Sequence, residues 1–151
     1  MPKYWEDYSV EEKFVTPGRT ISEGMINVMV GLGGFTLPLF WDEEEAKKST
    51  FGTRIAPGRL TLFFMGGLEE QCGFWDEETM VALVGIDKVR IKSPLRAGDT
   101  LKVYGEVIEK RETKNLGRGI VIHRSACKNQ NGEIVAETET THLVQRVSKS
   151  E

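Results

Sequence analysis

"PGRLTLFFMGGLEEQCG", residues 57 to 73, is the stretch on which the fold of this chain turns. Pro57 restricts the entry of a helix and Gly73 marks its end, since proline suits the first helical turn and glycine the position past the last. Between them Leu60, Leu62, Phe63, Phe64, Met65 and Leu68 leave almost no polar side until Glu69. A helix apolar all round belongs at the centre of a core. Gly66 and Gly67 each cost such a helix about 1 kcal/mol against alanine, and are expected to let a neighbouring backbone approach closely.

Whatever covers that helix must come from elsewhere in the chain, and the C-terminal half reads as the cover. "MVALVGIDKVRIK" (80–92) stops at Ser93 and Pro94, and "DTLKVYGEVIEKRE" (99–112) follows Gly98. "GRGIVIHRSACKNQ" (117–130) and "GEIVAETETTHLVQRV" (132–147) flank Asn131-Gly132, a strong hairpin signal. Leu101, Val103 and Val107 share a face against Lys102, Tyr104 and Glu106, the alternation of an antiparallel sheet with one dry side. The N-terminal half is helical in pattern. Ser22 caps a segment from Glu23 to Leu32 whose apolar residues run nearly all the way round, so it should be covered on most sides. Asp42 caps a second, short helix with Glu43–Lys47 and Glu44–Lys48 at i,i+4 spacing, a solvated face. The expectation is a single α+β domain over residues 1–151, a long curved antiparallel sheet around one buried helix.

With 151 residues, 39% of them hydrophobic, the chain is long enough to bury a real core. Its net charge of −3 gives no basic footprint, which argues against nucleic acid as a partner. "MPKYWEDYSVEEKF" contains no apolar run of a secretory signal, and no later run approaches the ~20 apolar residues of a membrane span, so a cytoplasmic protein is expected. Cys72 and Cys127 stand far apart without Cys/His spacing, so reduced packing thiols are expected and no metal site. There is no GxSxG elbow and no phosphate-cradling loop, and the glycines of "GLGG" lack the spacing of a dinucleotide fingerprint.

A second stretch raises the question of function. "GGFTLPLFWDEEEAKKSTFG" (33–52) is an apolar loop around Pro38 followed by an abrupt run of charge from Asp42. A loop this apolar should line something. In order along the chain, "RTISEGMINVMVGLGG", "PLFWDEEEAKKSTFG", "FGTRIAPGRLTL" and "SPLRAGDTL" together resemble the MaoC-like dehydratase family of the hotdog fold, from about Arg19 to Val144. Its best-known members are R-specific enoyl-CoA hydratases. The resemblance implies a thioester whose oxygen meets a backbone N–H at the start of the central helix, here Gly58, and a water held between an Asp and a His of the loop. It implies no cofactor beyond a CoA thioester as possible ligand, and at least a homodimer, because the fold leaves a long strand unpaired.

Laid on this chain through Pro38, the family pattern Asp-x-Asn-Pro-x-His falls on Phe35 for the Asp, Leu37 for the Asn and Phe40 for the His. None of these exchanges a proton. Pro57 stands where the family tends to have a His, and Arg59 where it tends to have a small apolar residue. A general acid or base is typically worth 10²–10⁴ in rate, so loss of both predicts a protein without ordinary hydratase activity. Phe35, Leu37, Phe40 and Trp41 are then expected to line or fill the vacated catalytic loop, filling being the plainer outcome.

Substitute groups are few. Asp42 and Glu70 are the alternative acids for a displaced lyase or thioesterase mechanism, although Asp42 also reads as a helix cap. Glu69 and Glu70 also read as the solvated last turn of the central helix. His123 and His142 read as hydrogen-bonded surface or interface residues of their strands. Arg59 either holds a ligand anion or, the reading preferred here, pairs with a Glu from 43 to 45, since a cation at a helix start is unfavourable by a few tenths of a kcal/mol otherwise. Arg54, Arg90, Lys92, Arg118 and Arg124 are open candidates for a CoA phosphate. Three functions stay open: an acyl-thioester binder, an enzyme using displaced acids, and a noncatalytic partner subunit.

Overall fold

A computed structural model describes residues 1–147. A short 3-10 turn at Trp5–Asp7 precedes β1 (Lys13–Val15) and β2 (Arg19–Thr20). Three helices follow, α1 (Glu23–Gly33), α2 (Pro38–Trp41) and α3 (Glu43–Ala46), and then the central helix α4 (Gly58–Gln71). Four long strands complete the chain: β3 (Met80–Ile91), β4 (Thr100–Glu112), β5 (Arg118–Lys128) and β6 (Ile134–Gln145). The strands pair antiparallel in the order β1-β4-β5-β6-β3, with β2 also on β4.

The alternation read in β4 sets the sheet's dry side. Leu101, Val103 and Val107 are fully buried, while Tyr104 is exposed. Leu101 and Val103 meet Leu60, Phe64, Met65 and Leu68 of α4 and, from β5 and β6, Cys127, Val135 and Ala136. Each such side chain, fully buried, contributes about 1.5–3 kcal/mol. Both cysteines are free thiols, and burial pushes Cys127 up to about 12, so it packs as a small hydrophobe. Gly132 closes the β5–β6 hairpin at φ 75°, a conformation that costs glycine nothing. Register shifts between Val107 and Glu109 and at three points along β3 accompany the bending of the sheet.

A second cluster seals the end of the sheet beyond the helix. Tyr8, Phe14 and Trp75 join Val107, Val121 and Val144 there. Gly105 of β4 lies opposite Phe14 of β1, and a Cβ at Gly105 would stand 2.0 Å from the ring. Phe74 packs on that ring at 4.6 Å and limits its retreat. Gly105→Ala is therefore expected to lose about 1–3 kcal/mol in urea unfolding. Gly85→Ala, whose Cβ meets nothing closer than 3.7 Å, is the matching control. Equal losses in the two variants would remove the steric explanation.

Several expectations are corrected. Both long helices are covered on one side only: α1 buries Ile26 and Val30 but leaves Val28 and Leu32 exposed, and Phe63 of α4 is 61% exposed. A single sheet covers one face of a helix and no more. For the same reason Gly66 and Gly67 meet no neighbouring backbone. The ion pairs on α3 are Glu44–Lys47 and Glu45–Lys48, at i,i+3, because the helix lasts only one turn. Ser22 and Asp42 do cap their helices, accepting from Met25 N and Glu45 N. No helix among the described residues is long and apolar enough to cross a membrane.

Candidate functional site

The loop after α1 is organised by Pro38, which starts the one-turn helix α2 with Leu37 as its extended cap. Phe35 and Phe40, at the positions read as Asp and His, meet edge to face at 5.9 Å and pack against the main core. They fill space at this end of α4. Leu37 and Trp41 differ: each is about 60% exposed, so within one chain they neither line nor fill an enclosed tunnel. A groove of about 450 Å³ remains beside this loop, bounded by Asn27, Val30, Phe35, Thr36, Trp41 and Arg54.

Gly58 is the first residue of α4, where backbone N–H groups lack intrahelical partners. A Cβ at Gly58 would come within 3.1 Å of Ile91 Cγ1, a tight contact that the Ile91 side chain would have to yield to by a few tenths of an ångström. Arg59 is exposed and makes no ion pair among the described residues, contrary to the preferred reading. Arg54 makes the internal bridge instead. Its Nε donates to Glu43 Oε2 at 2.9 Å and its other end meets Glu23, tying α3 to the start of α1. Thr53 and Arg54 hold the Glu43 carboxyl below its usual range, and the two carboxylates hold Arg54 above its own. Lys92 and Arg124 are likewise committed, to Glu137 and Glu139.

Asp42 spends its carboxylate on the α3 cap, and Glu70 is exposed on α4. Glu70 is twelve residues from Gly58, a rise of roughly 18 Å, and cannot serve chemistry at the helix N-terminus. Neither residue is brought together with Phe35 or Phe40 into one constellation.

The titratable constellation that the fold does assemble lies at the other end of α4. Glu69 is buried rather than solvated, only 7% exposed, and faces β5. Its Oε1 accepts from Ser125 Oγ at 2.6 Å, and its Oε2 lies 3.0 Å from His123 Nε2. Both partners are fully buried, so His123 is neither a surface nor an interface residue within the chain. Its ring stacks on that of His142 at 5.3 Å with the planes 5° apart, and Trp75 packs on both imidazoles at 4.9 and 4.6 Å. Burial, and the neighbouring His123, push His142 down to about 4. The only signals in the sequence were the placement of His123 with Val121, Ser125 and Cys127 on one strand face, and a Glu one residue after the apolar stripe ends. Neither reveals that the two meet.

Among the described residues no group of three or more His, Cys, Asp or Glu is arranged to hold a metal ion. Eleven residues, roughly 16 Å of helix, separate this constellation from Gly58.

A model of the MaoC like domain matches residues 7–126. The chain is 31% identical over 145 residues to an (R)-specific enoyl-CoA hydratase from Rhodospirillum rubrum, covering 93% of this chain and 91% of that one. It is 29% identical over 101 residues to protein MaoC of Klebsiella aerogenes, covering 67% of this chain but only 29% of that protein's length. A structure described as a monoamine oxidase regulatory protein from Archaeoglobus superposes with a TM-score of 0.90 at 32% identity over 97% of both chains. A double-hotdog protein of Mycobacterium tuberculosis, at 21% identity and a TM-score of 0.83 over 98% of this chain and 46% of that one, shows the fold alone. With a hotdog sheet wrapped on its central helix and a family model matched across most of its length, the chain belongs to the MaoC-like dehydratase family, related to the R-specific enoyl-CoA hydratases.

Proposed function

We propose that this protein binds acyl-CoA or a related thioester at the N-terminal end of α4 and lacks ordinary enoyl-CoA hydratase activity. The observation that carries the reading is the loop. At the places where the family pattern has an acid and an imidazole, Phe35 and Phe40 meet edge to face and touch the core. Adding water to an enoyl thioester needs a base for the water, an acid for the alpha carbon and donors for the enolate-like oxygen. Only the last survives, in the free N–H groups at Gly58 and the positive end of the helix. Arg59, exposed and without an ion pair among the described residues, is the cation available to an anionic part of such a ligand. A cytoplasmic location belongs to the same reading.

Partnership with a second copy is part of the proposal. The outer edge of β3 pairs with nothing among the described residues, and Val81, Leu83, Val84, Ile86 and Ile91 on this strand are each more than a third exposed. Long apolar edges are normally paired or covered. A homodimer is expected in sedimentation at micromolar concentration, and a monomer there would count against it.

The test is direct. Hydration of crotonyl-CoA is expected to stay below about 1 per second at saturating substrate, against typical enzyme turnover of 1–10³ per second. Acyl-CoA present at 100 times its dissociation constant should stabilise the protein by about 2.7 kcal/mol, read as a raised melting temperature. Fast hydration would overturn the loss of activity. No shift at millimolar ligand would overturn thioester binding and leave the partner-subunit reading. A slow turnover abolished by Asp42→Asn would favour the displaced-acid alternative.

A further inference from the structure

Helix α1 and the second half of α4 leave an open groove of about 470 Å³ between them, within the roughly 300–1,000 Å³ usual for small-molecule sites. Met25, Val28 and Met29 of α1 and Phe63, Phe64 and Leu68 of α4 form its apolar walls. Val28 and Phe63 are 60% and 61% exposed, so nothing among the described residues covers them. Contiguous apolar exposure of this kind marks a place where something binds.

The groove is separate from the buried acid and imidazoles. Phe63, Gly67 and Gln71, at i, i+4 and i+8, form one row along α4, and at 100° per residue that row is turned away from Glu69. Gly67 stands in the middle of the row. A Cβ there would meet nothing within 4 Å, so no contact in the chain calls for glycine, which inside a helix is less favourable than alanine. Its effect is to keep the floor of the groove open.

Charge narrows the occupant. Arg19 of β2 is the one charged residue lining the groove, and no Asp or Glu does. Its side chain is exposed and makes no ion pair or hydrogen bond among the described residues. The acid next along the chain, Glu23, is taken by Arg54. A cation would be repelled by Arg19 and find no carboxylate to answer it. Gln71, the last residue of α4, adds an amide that can donate as well as accept. The occupant therefore has an apolar body and a single negative end.

We propose that this groove binds an aliphatic carboxylate, a fatty acid of medium length, with its chain between α1 and α4 and its carboxylate on Arg19. About 470 Å³ holds roughly fifteen groups of ~30 Å³ each, enough for a chain of about ten carbons and its carboxylate. The guanidinium fork matches the two oxygens of a carboxylate, and the unbranched thioethers of Met25 and Met29 adapt to a flexible chain. The site does not depend on thioester binding, since Gly67 lies nine residues, roughly 14 Å of helix, beyond Gly58.

The test is an NMR titration of the full chain, following the methyl groups of Met25 and Met29, with decanoate as probe and decylammonium and hexanoate as controls, all below micelle formation. Saturable shifts with decanoate are expected at submillimolar concentration and one equivalent, with at least tenfold weaker binding of either control. Arg19→Gln should weaken decanoate at least fivefold. Gly67→Leu, which places a side chain in the groove from an exposed helical position, should abolish saturation while leaving the melting temperature and the sedimentation coefficient of the free protein unchanged. Shifts that never saturate, decylammonium binding as well as decanoate, or binding indifferent to both substitutions would overturn the proposal. So would Met25 and Met29 shifts that follow protein concentration and vanish together with self-association in Gly67→Leu, because the groove would then be covered by a second copy of the chain.

Discussion

Glu69→Ala is expected to be among the most destabilising single substitutions in this protein, by about 3–5 kcal/mol, because it removes one partner of a buried pair and strands the other. His123 and Ser125, both fully buried, would lose their hydrogen bonds to the carboxylate. At 2–4 °C per kcal/mol for a domain of this size, the melting temperature should fall by roughly 6–20 °C. Glu69→Gln keeps an acceptor for Ser125 and, with an amide donor, can still meet His123, so it should lose less than half as much. Glu70→Ala, one residue further along on an exposed face, should stay within about 0.5 kcal/mol of the parent. Urea unfolding of the three variants checks all of this. Equal effects at positions 69 and 70 would mean that the buried cluster contributes nothing particular to the fold.

Stability should also fall as the solution is acidified from pH 6.5 towards pH 4, before most carboxylates titrate. The sign follows from His142. Its imidazole takes up a proton near 6.5 when unfolded but only near 4 when folded, where it is buried and faces His123. Between those values the unfolded chain binds more protons, so lowering the pH favours unfolding. Above 6.5 both states are neutral and the group contributes no pH dependence. The shift of about 2.5 pH units, from 6.5 to about 4, corresponds to at most about 3 kcal/mol at 1.36 kcal/mol per unit. His142→Phe preserves a ring against Trp75 and removes the titration. Its urea midpoint should vary much less over the same interval. Parallel pH profiles for the parent and His142→Phe would show that His142 is not the responsible group.

Both predictions concern a constellation that periodicity does not reveal. Glu69 and His123 are 54 positions apart and Glu69 and Ser125 are 56 apart, on a helix and a strand. Alternation does place His123 and Ser125 on the inner face of β5 with Val121 and Cys127. The position of Glu69 relative to them depends on the height at which α4 crosses the sheet. An acid following Leu68 is equally compatible with the last solvated turn of a helix. The loop is the opposite case, since the apolar character of Phe35, Leu37 and Phe40 is plain in the chain itself. Which of them point inward is not: Phe35 and Phe40 pack on the core, while Leu37 and Trp41 remain exposed. The ion pair expected of Arg59 shows the same limit. Either Arg54 or Arg59 lies within reach of Glu43 along the chain, and the path of the backbone into α4 selects Arg54.

Local chemistry along the sequence was enough to determine the elements and the dry face of the sheet. Capping at Ser22 and Asp42, the turn at Asn131-Gly132 and the two-residue alternation of β4 each act over a few bonds, and the sheet around α4 follows from them. Tertiary structure alone decided which sides of α1 and α4 are covered, and that a carboxylate, two imidazoles and a serine share one dry end of the core. The reason is that burial and polar pairing depend on what crosses from a distant part of the chain, and a crossing position is fixed by packing many side chains at once.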